Sequence, residues 1–291
     1  MARKKGKKKP ERASARLSAP AAKTSAAPEV EPQARTVLLT IEDTIATITL
    51  NRPQRRNAIS PRMIEELREA FAECARGPAR VVILTGSGSA FSGGMDIGAL
   101  RSTAQQNERQ HLADAHRLSE LFKSLYTLPR PTIAAINGAA IAGGCGLATL
   151  CDFALASPAA TFGYPEVHIG FIPATVAVFL VRQVGDRRAR ELLLSGRVMG
   201  AQEAARLGLI TEVVAAEKLM LRAYDLAAIL ARHSPTSLAE TKALLEQLPG
   251  LDLDRALELA ARASARVRQT EDYREGLSAF LEKRQPVWRS R

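Results

Sequence analysis

The stretch PTIAAINGAAIAGGCGLATLCDFALA, residues 131–156, decides the reading of this chain. Thr132–Ile136 is a short apolar run of strand type, closed by the turn dipeptide Asn137-Gly138. Ala142-Gly143-Gly144-Cys145-Gly146-Leu147 then opens a helix of small residues, whose first-turn N–H groups have no side chains to screen them. Such an end attracts negative charge, and glycine lets a ligand oxygen approach the backbone closely. Read from this segment alone, it is either an oxyanion site or a helix packed tightly on a strand.

Working outward, residues 80–85 form a second apolar strand that runs into Gly86-Ser87-Gly88-Ser89 and then Ala90-Phe91-Ser92-Gly93-Gly94-Met95-Asp96. Enzymes that stabilise an oxyanion aim a pair of donors at one point, and two strand-to-glycine turns could each supply one. Downstream, in residues 161–173, Glu166 is the single carboxylate among apolar neighbours. In an apolar pocket its pKa would move toward neutrality and suit it to carry protons to and from carbon; the alternative is a solvated loop glutamate.

The strand-and-turn unit recurs at Ile45–Leu50 and at residues 81–85, 132–136 and 152–156, with helices between, so the sequence predicts an α/β fold. The helix predicted over Pro61–Arg76 carries Met63, Ile64, Leu67, Phe71 and Cys74 on one face, and that over residues 108–128 carries Leu118, Leu121, Phe122 and Leu125. From about residue 231 the chain reads as helical, with Ser234-Pro235 as a helix start and Pro249-Gly250 as a break.

Taken together, residues 131–156, FGYPEVHIGFIPA (162–174), LLLSGRVMGAQEAARLGLITEVV (192–214), LTGSGSAFSGGMDI (84–97) and LNRPQRRNAIS (50–60) resemble the enoyl-CoA hydratase/isomerase (crotonase) family over about residues 36–286. The resemblance implies a crotonase-like spiral of strand-turn-helix units with a carboxy-terminal helical trimerisation region. The expected divisions are residues 1–34 (tail), 35–230 (spiral core) and 231–291 (helical region). It also implies an acyl-CoA thioester substrate whose oxygen is bound by the backbone N–H groups of Met95 and Gly143, with Glu166 as the proton-transferring acid. Gln54, Arg55, Arg56, Gly94, Asp96, Gly144 and Tyr164 are the expected substrate and CoA contacts. The arginines suit phosphate charge. No cofactor is expected beyond the coenzyme A of the substrate, and a homotrimer or homohexamer is implied.

One position departs from the pattern. Hydratases with paired glutamates carry the second one in a GGGCE-type motif, where this chain has Gly146. Three readings survive: a hydratase of branched or carboxylated 2-enoyl-CoA, nearest to the methylglutaconyl-CoA type, with Gly146 enlarging the acyl pocket; an isomerase with Glu166 as sole proton shuttle; or another reaction of the family. The first is preferred, on the AGGCGLA, PEVHIGFIPA and EGLSAFLEKRQPVW stretches. Asp114 or Glu120 could fold into the site as a further carboxylate, and His168 could adjust Glu166.

Composition sets the remaining bounds. The 291 residues carry a formal net charge of +11, and residues 1–34 hold nine basic and three acidic residues among alanine, proline and serine. This basic tail is expected to be disordered, and reads either as a solubilising tail without a partner or as one that contacts nucleic acid or anionic surfaces weakly and without specificity. A scaffold that binds RNA or acidic partners through this tail is the alternative from another class. Three cysteines without CxxC spacing and four scattered histidines point away from a metal site. The chain shows no secretory leader and no membrane-span run, which favours a cytoplasmic, reducing setting. Gly86-Ser87-Gly88 lacks the third glycine of a dinucleotide fingerprint, and residues 90–94 miss the placement of a hydrolase nucleophile elbow.

Overall fold

The computed structural model describes residues 34–289, so the expectations for the basic tail lie outside the described residues. From Arg35 onward the chain is one compact unit. In chain order its elements are β1 (Val37–Glu42), β2 (Ile45–Leu50), α1 (Pro61–Arg76), β3 (Val81–Gly86), β4 (Ala90–Ser92), α2 (Ile97–Ser102), α3 (Glu108–Tyr126), β5 (Thr132–Ile136), β6 (Ala139–Ile141), α4 (Gly143–Thr149), β7 (Phe153–Ala156) and β8 (Thr161–Gly163). There follow α5 (Ala174–Ser195), β9 (Val198–Gly200), α6 (Ala201–Arg206), β10 (Glu212–Val213), α7 (Leu219–Ala231), α8 (Pro235–Gln247), α9 (Leu253–Val267) and α10 (Glu271–Leu281).

Two sheets result. The larger has the order β1-β2-β3-β5-β7-β10 and is parallel except for the β1–β2 hairpin; the smaller has the order β4-β6-β8-β9, with β9 antiparallel. Three times a strand of the large sheet passes through a tight turn into a short strand of the small one: β3 into β4, β5 into β6 and β7 into β8. These repeats make the spiral. The sequence reading missed β1 and the five strands of two or three residues (β4, β6, β8, β9 and β10), which are too short for a period-two pattern to register.

Alternation explains why the large-sheet strands read as unbroken apolar runs. Val82, Leu84, Ala134, Ile136, Ala154 and Ala156 face the main core under α1, α3, α4 and α5. Their neighbours Val81, Ile83, Ile133, Ala135 and Leu155 face Ala223, Ala227 and Leu230 of α7. A parallel sheet covered on both faces needs apolar side chains at every position.

Local signals set the helix ends. The Ser60 hydroxyl accepts from Met63 N at the start of α1, and Asn107 with Gln110 forms a capping box on α3. The five apolar residues expected along α1 are all buried. Helix α3 stops at Tyr126, two residues short of the reading, because Pro129 follows closely.

Polar ties hold the helical carboxy-terminal segment to the large sheet and its own helices to one another. Lys242 Nζ donates to Asp152 Oδ2 at 2.8 Å and to the Arg130 carbonyl at 3.2 Å, joining α8 to the starts of β5 and β7. Asp272, 3 % exposed, accepts from Ser234 Oγ at 2.6 Å and from Thr236 N at 3.3 Å, joining α10 to the start of α8. Asp272→Ala leaves these buried donors unsatisfied and is expected to cost about 1–3 kcal/mol in urea denaturation.

Candidate active site

Strands β4 and β6 run parallel and adjacent, with Ala90 opposite Ala139 and Ser92 opposite Ala140, and each ends at one expected donor. Beyond β4 the chain makes a single parallel bridge, Ile59 with Met95. Ile59 N donates to the Gly94 carbonyl at 2.7 Å and Asp96 N donates to the Ile59 carbonyl at 3.0 Å. Backbone groups alternate in direction along an extended segment, so the Met95 N–H faces away from this bridge, and no described residue accepts from it. Beyond β6, Gly143 is the first residue of α4, and its N–H likewise has no acceptor among the described residues.

The two ends touch. Gly94 has φ of 86°, and a Cβ there would lie 2.8 Å from the Ile141 carbonyl oxygen and 2.9 Å from Ala142 Cβ. Only glycine meets both the conformation and the space. Ala142 itself has φ of 53° and ψ of −126°, a rare conformation for a residue with a side chain, at the joint that orients Gly143. Gly144 backs onto Ser92, so α4 and β4 pack without a side chain between them.

Glu166 arrives from the neighbouring strand. Ala142 N donates to the Gly163 carbonyl at 2.8 Å, and after β8 the chain turns through a short 3-10 segment, Pro165–Ile169. Glu166 Oε2 is buried with no hydrogen-bond partner among the described residues. Burial raises its pKa above the ordinary carboxyl value, and its charge acts on the Cys145 thiol in the first turn of α4. A half-buried carboxyl with one buried oxygen left unpartnered, whose field reaches the helix that presents Gly143, is poised for proton exchange.

That burial has a stability consequence whose sign is definite. The folded state holds the Glu166 proton more tightly than the unfolded chain does. Below the unfolded value both states are protonated and nothing is lost; as pH rises through the raised folded value, the folded state must carry a desolvated charge and stability falls. Glu166→Gln is therefore expected to be more stable than wild type at neutral pH. The difference should close as pH drops below the ordinary carboxylate range, in urea melts at stepped pH.

Several expected site residues fall elsewhere. Tyr164 is 1 % exposed, hydrogen-bonded to Cys145 and Thr149, with its phenol pushed up by burial; it is core beneath the site rather than an open pocket wall. Asp96 is committed internally, accepting from Gly98 N and Ala99 N and pairing with Arg52 at 2.9 Å. His168 is exposed, with Nε2 3.2 Å from the Ser195 carbonyl, and Asp114 pairs with Arg117 while Glu120 is exposed. Gln54, Arg55 and Arg56 are exposed on the turn before Asn57. Cys145 and Cys151 are buried, with thiols pushed up to about 12 by burial, and are inert as nucleophiles. The cleft of 900 Å³ lined by Phe71, Arg76, Leu128 and Pro129 contains none of the site residues.

The space above Gly146 is filled, which corrects the expectation that glycine there enlarges the acyl pocket. A Cβ at Gly146 would lie 2.7 Å from Val176 Cγ1 and 2.8 Å from Phe122 Cε2, both buried side chains. Asn57, expected only as part of the Gln54–Ala58 segment along the CoA, is instead a buried brace. Its buried side chain accepts from Arg52 N at 2.8 Å and donates to the Ser87 and Ala90 carbonyls at 2.9 and 2.8 Å, bracing the turn that leads to Met95.

The family model for enoyl-CoA hydratase/isomerase matches residues 40–291. The chain belongs to the enoyl-CoA hydratase/isomerase family. It is 44 % identical over 83 % of its length to a Thermus thermophilus protein, 96 % of which is covered, whose name gives it provisionally as an enoyl-CoA hydratase. It is 33 % identical over 88 % of its length to the 2,3-dehydroadipyl-CoA hydratase of Escherichia coli, covering 99 % of that protein. The crystal structure of an enoyl-CoA hydratase from Shewanella pealeana superposes with a TM-score of 0.84 at 33 % identity, over 88 % of this chain and 97 % of that one. The spiral is therefore the crotonase fold, and the family is one of enzymes acting on enoyl-CoA thioesters. No helix among the described residues is long and apolar enough to cross a membrane.

Proposed function

We propose that this member of the family is a hydratase of a branched or carboxylated 2-enoyl-CoA, of the methylglutaconyl-CoA type. The observation that carries the reading is the buried Glu166 Oε2, without a hydrogen-bond partner among the described residues, in the 3-10 segment after β8, following two adjacent backbone ends with unsatisfied N–H groups. The thioester oxygen sits between the N–H groups of Met95 and Gly143, which stabilise the enolate by about 3 kcal/mol per donor. Glu166 exchanges a proton with C2, and water adds to C3. The relative named for 2,3-dehydroadipyl-CoA, a carboxylated enoyl thioester, supports that substrate class. A substrate carboxylate would help to orient the water that no second glutamate is present to hold. Gln54, Arg55, Arg56 and the backbone of Gly94 and Gly144 complete the proposed CoA and acyl contacts, and no cofactor is required.

The filled space above Gly146 favours one second reading, a delta-isomerase in which Glu166 alone moves a proton between C2 and C4. Turnover of crotonyl-CoA, 3-methylglutaconyl-CoA and a 3-enoyl-CoA in isotopically labelled water separates them. Labelled oxygen in the product, strongest with 3-methylglutaconyl-CoA, is the expected result. Conversion of the 3-enoyl-CoA alone, with solvent hydrogen and no solvent oxygen gained, would establish the isomerase.

The assembly we propose is a homotrimer or homohexamer. Its support is the exposure of large apolar side chains after Glu166 (Ile169, Phe171, Ile172) and on the last helices, where Leu253 is 73 % and Phe280 81 % exposed.

A further inference from the structure

One guanidinium is tied to both segments that meet in the bridge at Met95. Arg52 Nη1 donates to the Ala58 carbonyl at 2.6 Å, immediately before Ile59, which forms the bridge to Met95. Arg52 Nη2 lies 2.9 Å from Asp96 Oδ2, immediately after Met95. The other Asp96 oxygen accepts from Gly98 N at 2.9 Å and Ala99 N at 3.2 Å, so the same carboxylate starts α2. On the near side, Ser92 Oγ donates to the Asn57 carbonyl at 2.9 Å and accepts from Gly94 N at 3.3 Å. The Arg52 and Asp96 side chains are 18 % and 19 % exposed, so their interaction is only partly screened by water.

We propose that Arg52 and Asp96 are a positioning pair for the Met95 N–H, holding it in the direction an oxyanion requires and cancelling a carboxylate that would otherwise oppose that oxyanion. The first half follows from the contacts. Met95 is fixed by a single bridge, and the guanidinium clamps both strands of that bridge at the residues flanking it. The second half is electrostatic. A carboxylate one residue from the donor would repel charge developing on the thioester oxygen, and Arg52 neutralises it at contact distance. Neither side chain needs to touch the substrate. This inference rests on the proposed role of Met95 as an oxyanion donor and adds the residues that make the donor effective.

The test uses the full chain and a 2,4-dienoyl-CoA, whose conjugated chromophore shifts to the red when its carbonyl is polarised. Wild type is expected to produce the shift. Arg52→Gln should lose most of it and lower kcat about 10- to 100-fold, less than the 10²–10³-fold loss on deleting a donor outright. KM should change little, whereas a loss of CoA contacts would appear there first. Arg52→Lys, which keeps the charge beside Asp96, should restore most of the shift. Arg52→Gln with Asp96→Asn should recover part of it, because the unmasked carboxylate is gone. An unchanged shift and kcat in Arg52→Gln, or a loss confined to KM, overturns the proposal. Should Arg52→Gln fail to fold, the neutral double variant decides: an intermediate shift supports the pair and a wild-type shift overturns it. Absence of the shift in wild type would instead overturn the oxyanion role of Met95, and the pair with it.

Discussion

Glu166→Gln is expected to lower kcat by about 10²–10⁴-fold, the usual worth of a positioned proton-transfer group, with KM for the acyl-CoA little changed. Glutamine keeps the shape and burial of the side chain but cannot carry a proton. The same variant is expected to be more stable than wild type at neutral pH, since burial raises the carboxyl's pKa and ionising it in the fold is unfavourable. Slower turnover together with higher stability separates a functional carboxyl from a structural one. Steady-state kinetics on the acyl-CoA panel and urea melts on the same preparations measure both, and near-normal turnover would rule out Glu166 as the proton shuttle.

Gly146→Glu, the substitution that would restore a second glutamate by sequence logic, is expected to destabilise the protein by roughly 3 kcal/mol or more and to bring no gain in hydration. The added Cβ would meet Val176 Cγ1 at 2.7 Å and Phe122 Cε2 at 2.8 Å, and overpacking of this kind costs about 1–3 kcal/mol before the carboxylate is considered. Burying that carboxylate without a partner adds to the cost. Phe122 is fully buried, with its ring edge-on to Phe179 at 6.5 Å between centroids, so moving it aside means repacking the core. Truncating Phe122 and Val176 along with the substitution should recover stability, as measured by urea denaturation. A stable Gly146→Glu single variant with increased crotonyl-CoA hydration would contradict this account.

Much of this architecture was legible in the chain itself. Long-period signals survive without tertiary context, so Pro61–Arg76, Ile45–Leu50 and Thr132–Ile136 are found as the sequence predicts. The turn dipeptide Asn137-Gly138 and the glycines after β3 mark two of the places where the spiral passes from one sheet to the other. Glu166 stood out because it is a lone carboxylate in an apolar segment, and one of its carboxyl oxygens is buried in the structure. The short strands of the small sheet were hidden, since two or three residues carry no period. They exist because neighbours such as Ala139 and Ala90 pair across the spiral.

What the sequence determined by itself is therefore the family, the α/β class with its apolar central strands, and the carboxyl and glycine turns proposed for the site. These depend on residue type and on spacing along the chain, both of which are local. Which groups surround the site was decided only by the tertiary structure. Phe122 above Gly146, Tyr164 sealed against Cys145, and Arg52 clamping Asp96 are contacts between residues 19 to 44 positions apart. Long-range packing brings such pairs together, and no propensity or pattern at either position encodes its partner.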